Sequence, residues 1–316
     1  MNMIKWFILA LGASTVALVL SHAAESTQDH GSSTKGAPAS IHPLKEPGLT
    51  NFYQLTSNVF SGAAPDGEAG FASLKALGIK TIITVDGAKP DVNTAKKFGL
   101  RYVHLPIGYD GVPTAQALRL VKAVETLPGP VYIHCHHGLH RGPAGAAAVC
   151  IGTAGWTGDQ AVAWLQLAGT SSNYPGLFKT VAAFTAPSSA DLQKVSTDFP
   201  EVSPISALAE EMVKLDNSIE HLKLIKAAGY KAPPSSPDLD PENESLLLHE
   251  QMKEMYRSPL VQSRPADFQD KFTTTEEAAN SLHLSFLIQP FDSKRADAAF
   301  QRMNDGCDAC HKAYRN

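Results

Sequence analysis

Cysteine is scarce in this chain: four in 316 residues cannot build a disulfide scaffold, so each is read for chemistry. An excess of positive charge is also missing. The 27 Lys and Arg stand against 31 Asp and Glu, for a net charge of −4, which argues against a basic nucleic-acid grip. Only one long apolar run occurs, which excludes a polytopic membrane protein, and no fibrous repeat is present. What remains is apolar mass for packed cores, 43% of residues. Domains usually hold roughly 100 to 200 residues, so two are expected.

The one apolar run is N-terminal. Lys5 precedes a stretch from Trp6 to Leu20, and Ser21 and Ala23 stand as the small residues of a cleavage site. Residues 1–23 therefore read as a signal peptide. The rival reading is an uncleaved anchor, but a membrane-spanning helix needs about 20 apolar residues. The expectation is an exported, periplasmic protein with no stable membrane span after cleavage. Residues 24–43, rich in small and polar types, read as a flexible tail.

Two segments with different patterns follow. Over 44–186, strand-like runs (VFSG, IKTIITVD, RYVHLPI, VYIH) alternate with helix-like runs, several closed by glycines such as Gly78 and Gly99. Thr114 is a plausible cap for the helix that ends before Pro128. This alternation predicts an α/β domain with a largely parallel central sheet, with sites at the carboxyl ends of strands. Residues 187–204, rich in Ser, Pro and Asp, read as a linker. Over 205–316, Leu208, Met212, Leu215, Ile219 and Leu222 form the seam of a first helix. Asp240–Pro241 starts a second through Leu246, Leu247, Met252 and Met255. Thr274 and Glu277 suggest a capping box for a third, and Asp292 caps a fourth. This predicts an all-α four-helix bundle.

The first candidate site is IHCHHGLHRGP. Cys135 and Arg141 stand at C-x5-R spacing between a strand and a helix. That spacing curls a loop into an anion cradle, and the helix N-terminus adds partial positive charge. The same field favours a nucleophilic thiolate at Cys135, and Arg141 can fork two donors onto a phosphoryl group. His134, Cys135, Gly138 and Arg141 match the signature of the cysteine-dependent tyrosine and dual-specificity phosphatases, which the first domain resembles. That resemblance implies a phosphocysteine intermediate and a phosphorylated substrate, protein or small molecule. It also implies a phosphate-binding set of His134, His136, His137, Gly138, Leu139, His140 and Arg141. It calls for an acid on a separate loop: Asp110, 25 residues upstream of Cys135, with Asp86 as competitor. One departure is Gly142, where the family carries Ser or Thr, which puts turnover in doubt. His136, His137 and His140 can add charge, bind a metal, or stand exposed. Cys150 reads as a buried small hydrophobe.

The second site is GCDACHKAYRN. Its C-x-x-C-H places Cys307, Cys310 and His311 near one helical face, suited to two thioethers and an iron ligand. Zinc would need a fourth ligand, and a redox dithiol would not require His311. On the last helix of a bundle, the motif resembles class II cytochromes c, of the cytochrome c′ and c-556 type, over about 203–316. The resemblance implies one covalent haem c, a second axial position that is empty or filled by a first-helix methionine, and pairing as a homodimer through the bundle. Met212 is the candidate ligand, and the same position equally suits a core methionine. Arg315, one turn past His311, lies near the haem or partners the helix dipole.

Three readings follow. One is an exported phosphatase with a haem domain for redox or gas sensing or electron transfer, acting with a redox partner or gas ligand. Another is a cytochrome with a catalytically weak phosphatase-like binding module. The last is a haem-linked thiol oxidoreductase using Cys135.

Overall fold

The computed structural model describes residues 41–315. The predicted signal peptide and most of the predicted tail lie outside the described residues. The elements are, in chain order, β1 (Pro43–Glu46), β2 (Leu49–Gln54), β3 (Val59–Gly62), α1 (Gly67–Ala76), β4 (Thr81–Thr84), α2 (Val92–Lys97) and β5 (Arg101–His104). Next come α3 (Thr114–Thr126), β6 (Val131–His134), α4 (Arg141–Ala154), α5 (Gly158–Leu167), α6 (Pro175–Ala183) and α7 (Ser189–Gln193). The chain ends with α8 (Ala207–Ala227), α9 (Pro241–Arg257), α10 (Pro259–Gln262), α11 (Ala266–Leu287) and α12 (Ser293–Tyr314).

The strands form one six-stranded sheet in the order β1-β2-β3-β6-β4-β5. β3, β6, β4 and β5 are parallel neighbours, while β1 and β2 add an antiparallel hairpin at one edge. This is the largely parallel sheet the alternation implied. The parallel strands are apolar on both faces because helices cover both. Alternation along each strand sends Phe60, Ile82, Tyr102 and Tyr132 into one core with α1 and α2. Val59, Ile83, Val103 and Ile133 enter the other, beneath α3–α6.

β6 sits between β3 and β4, in register with Gly62 and Thr84 through His134. The segment that follows β6 therefore leaves from the middle of the carboxyl edge. α4 runs back over the sheet and is buried from Arg141 to Ile151. Its run of Gly and Ala lets the helix backbone approach closely. Cys150 is wholly buried there, and burial pushes its thiol well above the ordinary range.

α8, α9, α11 and α12 form the helical part, with short α10 between α9 and α11. Its core joins Leu215, Leu222, Leu248, Met252, Phe268, Phe272, Leu282, Phe300 and Met303. Among the described residues, no helix is long and apolar enough to cross a membrane.

Several local expectations need correction. The tail reading to residue 43 overran: Ile41 is buried and β1 starts at Pro43. The 187–204 stretch is not a free tether. It holds α7, buries Leu192 and Phe199, and is fastened by Ser203 to His104. Thr114 begins α3 with Pro113 as its cap, and Thr274 lies inside α11, so neither serves as a cap. Leu246 and Leu247 face outward, because Ser245, Leu248, His249 and Met252 occupy the inner stripe of α9. Asp240 and Asp292 do cap their helices, accepting from Asn243 and Lys294 backbone N–H groups.

Candidate functional site

Cys135 is the first residue after β6, and Arg141 is the first residue of α4. Between them, three carbonyls are taken by donors outside the loop. Ala64 N–H donates to the His136 carbonyl at 2.9 Å, Asn51 Nδ2 to that of His137 at 2.8 Å, and Thr170 Oγ1 to that of Leu139 at 2.7 Å. In a trans peptide plane N–H and C=O point opposite ways, so tethering the carbonyls outward turns the following amides inward. Gly138 makes this possible: its φ is +68°, and a Cβ there would run into the backbone of Gly62 and Ala63.

Arg141 is buried, and its Nη2 donates to Asp86 Oδ1 at 2.8 Å. Burial alone would raise the Asp86 carboxyl, but Arg141, His136 and His134 outweigh it and hold the group below the usual range. Burial likewise disfavours the Arg141 cation, and Asp86, Tyr109 and Cys135 together outweigh it and raise the group. Among the described residues, Arg141 Nε is a buried donor with no protein partner. A buried donor of this kind costs about 1–3 kcal/mol unless an acceptor reaches it. His134 is locked beneath the loop: its Nδ1–H donates to the Cys135 carbonyl at 3.1 Å, so Nε2 accepts from Tyr102 Oη at 2.6 Å. Burial pushes this imidazole down to about 4.

The helical part reaches the same loop. Ala209 of α8 lies against Gly87, and Asp216 Oδ2 accepts from His137 Nε2 at 3.0 Å. From the end of α12, Arg315 donates to Tyr109 Oη at 2.7 Å and to Tyr174 Oη at 2.9 Å. Cys307, Cys310 and His311 share α12, with both thiols free. Burial pushes Cys307 up to about 11 and His311 down to about 4, leaving a neutral imidazole with a lone pair for a metal. Two thiols and a neutral imidazole on one helix fit a covalently held haem by their donor chemistry.

Comparison with known proteins follows the same division. A cytochrome C′ family model matches residues 249–315. The dual specificity protein phosphatase TpbA of Pseudomonas aeruginosa is 28% identical over 173 residues, spanning 52% of this chain and 74% of that protein. The crystal structure of TpbA superposes with a TM-score of 0.41 at 24% identity, covering 46% of this chain and 91% of that one. Its complex with pTyr gives a TM-score of 0.41 at 23% identity, over 50% and 94%. The N-terminal part is similar to dual-specificity phosphatases, and the C-terminal part is cytochrome c′-like.

In the phosphatase-like part, the structure brings Cys135, Arg141, His134, His136, Gly138 and the rest of the loop together, as the spacing demands. Asp110 is exposed, one residue past Tyr109, whose ring faces the Arg141 guanidinium at 4.5 Å. Asp86, read from sequence as the competitor, is the buried partner of Arg141. Gly142 packs tightly: a Cβ there would stand 2.9 Å from Cys135 N and 3.3 Å from its Sγ. His140 Nδ1 is buried without a partner among the described residues, and its ring packs on Tyr174 at 4.8 Å.

In the cytochrome c′-like part, Met212 is half-buried on α8 against the bundle core, one turn before Asp216. α8 precedes the matched segment, which begins inside α9. Sequence reasoning missed Tyr109, Tyr174 and Asp216, and did not place Arg315 at the loop. Nothing in their local patterns marks them, because their roles arise only where separate elements meet.

Proposed function

We propose that this chain is an exported, cysteine-dependent phosphoric monoester hydrolase whose rate responds to a haem c held in its C-terminal bundle. The observation that carries the first half is the loop after β6. It joins a nucleophile, inward amides and a buried arginine with an unpartnered donor, which is an acceptor-hungry site shaped for a phosphoryl group. The similarity to the dual specificity protein phosphatase TpbA supports a phosphorylated ligand of this class.

In the proposed reaction the Cys135 thiolate attacks phosphorus, forming an S–P bond as the ester P–O bond breaks. Asp110 gives its proton to the departing oxygen. Water then attacks the phosphocysteine, Asp110 takes back a proton, and the S–P bond breaks to release phosphate and thiolate. Arg141 and the loop amides hold the phosphoryl oxygens throughout. Asp86 suits the acid role poorly, because it is held ionised against Arg141. Asp110 is exposed, next in sequence to Tyr109, whose ring faces Arg141.

Cys307 and Cys310 would tether one haem and His311 would ligate its iron, supplying redox or gas-binding chemistry when bound. Met212 would be the candidate to supply a further ligand to that iron, and the visible spectrum of Met212→Ala should then lose any low-spin signature. Arg315 accepts the role of relay: its N–H donates to the His311 carbonyl at 3.1 Å, while its guanidinium holds Tyr109 and Tyr174 beside the loop. The C-x-x-C-H motif and the N-terminal apolar run together support export, since c-type haem attachment follows translocation. Pairing through the bundle as a homodimer and exchange with a redox partner belong to this proposal through the cytochrome c′ likeness.

A second reading is favoured by Gly142 and the Asp86–Arg141 pair: a module that binds phosphate and turns over poorly. A single-turnover assay with an aryl phosphate separates the two. The proposal expects a burst of phenol that Cys135→Ser abolishes. Saturable phosphate binding with no phenol release would establish the binding module instead.

A further inference from the structure

Two consecutive loop residues and one bundle residue form a cluster whose side chains take no part in the proposed proton and phosphoryl transfers or in the haem site. We propose that His136, His137 and Asp216 are a transition-metal site, suited to Zn²⁺, that bridges the phosphate loop and α8. One ligand atom from each residue lies within 4.8 Å of the other two. Asp216 Oδ2 is 3.0 Å from His137 Nε2 and 3.6 Å from His136 Nε2. Ligands at about 2.1 Å from a tetrahedral zinc stand about 3.4 Å apart, between those two separations. Side-chain movements of a few tenths of an ångström would close the set for these two pairs.

The chemistry of the donors points the same way. Two imidazoles and one carboxylate form a borderline nitrogen–oxygen set, which selects zinc and its first-row neighbours over Mg²⁺ or Ca²⁺. A plain ion pair between His137 and Asp216 would leave His136 unexplained. Its ring nitrogens make no hydrogen bond among the described residues, yet Nε2 faces Asp216 and Nδ1 stands 4.0 Å from Asp86 Oδ2. The three side chains keep 24%, 41% and 35% of their exposure, so solvent can supply the remaining ligand. The His137 backbone is already held by Asn51, and His136 by Ala64, so the loop presents both rings from anchored positions. Asp216 lies 79 residues from His137 in sequence, and a bound metal would fasten α8 across the loop that carries Cys135.

The site is tested on the full-length, haem-loaded protein, stripped with chelator and titrated with Zn²⁺ by calorimetry in the absence of any phosphate ester. Wild type should take up one equivalent that is weakened in Asp216→Asn and in His137→Gln. The loss should be at least the roughly 10- to 100-fold that follows removal of even an outer partner of a metal site. His249→Gln, which removes the separate His249–Glu276 pair, should leave that equivalent intact. Zinc-edge X-ray absorption should show two imidazoles in the shell. Absence of saturable zinc, equal affinity in the Asp216 and His137 variants, or a shell without the imidazole pair would each overturn the site. Since no ester is present, failure of the phosphatase reading cannot mimic these outcomes.

Discussion

Arg315 lies with its guanidinium 4.0 Å from the ring centroid of Tyr109, the ring that also faces Arg141 at 4.5 Å. A residue four positions past the C-x-x-C-H histidine thus touches the same side chain as the arginine of the phosphate loop. Energetic coupling between two sites requires an element whose arrangement both can bias, and this ring is in contact with both.

If Tyr109 is that element, phosphatase rates of wild type should differ between ferric and ferrous protein by about fivefold or more, the lower range of measured couplings. Arg315→Ala should bring the ratio to one. Where the coupling acts on phosphate affinity it is reciprocal, so inorganic phosphate that binds the two redox states unequally should shift the haem potential in wild type and leave it unmoved in Arg315→Ala. A rate ratio that persists in the variant would place the coupling elsewhere.

The two aspartates should separate cleanly. Asp110→Asn, at an exposed position, should change stability by no more than about 0.5 kcal/mol. It should nevertheless slow esters with poor leaving groups by about 10²- to 10⁴-fold, and activated aryl esters far less. Asp86→Asn strands the buried Arg141 cation, at a cost of about 3–5 kcal/mol in stability. Denaturant melts and rates across a leaving-group series check both, and equal losses for all esters in Asp110→Asn would exclude it as the acid.

Glycine substitutions probe the loop backbone. Gly138→Ala must hold φ at +68° against the backbone of Gly62 and Ala63, and should lose at least about 1–3 kcal/mol from that conformation alone. Gly142→Ser restores the hydroxyl of the family signature, but its Cβ would press on Cys135 N at 2.9 Å. Overpacking of this kind costs about 1–3 kcal/mol, so the variant should show a lower burst rate than wild type. A faster burst would mean that the loop relaxes around the added side chain.

Acid should weaken the first domain through its buried histidines. His104 is fully buried, accepting from Ser203 N–H at 3.1 Å on Nδ1 and donating to the Asp86 carbonyl at 2.8 Å from Nε2. Only the neutral ring satisfies both partners, and burial holds its pKa below the ordinary value. His134 is pushed down to about 4 by burial. Both folded values lie below the unfolded one, near 6.5, so their contribution is intact above about pH 6.5 and is lost as pH falls. By pH 4 the loss from His134 alone is on the order of 3 kcal/mol. Thermal midpoints measured from pH 7 down to pH 4 should fall steadily, and a flat profile would contradict the assignment.

The strands from β3 onward and the capped helices were legible because their signals are local. β-branched runs, helical periodicity and Asp–Pro starts act within a few residues of themselves. The β1–β2 hairpin was harder to read, since its strand PLKE is exposed at a sheet edge and carries no alternation. The 187–204 stretch misled for the opposite reason: its composition is that of a linker, but Phe199 and Ser203 find partners on the first domain.

By itself, the sequence determined which chemistries the chain contains. C-x5-R and C-x-x-C-H need only a few adjacent residues on a known local backbone, so spacing was enough to name Cys135, Arg141, Cys307, Cys310 and His311. Only the tertiary structure decided what those groups face. The pairing of Asp86 with Arg141 depends on two strands meeting side by side. The meeting of His137 with Asp216, and of Arg315 with Tyr109 and Tyr174, depends on α8 and α12 lying against the loop. Contacts between residues as far as 206 positions apart leave no periodic trace in a chain, because the energy that creates them belongs to the packed surface and not to either segment alone.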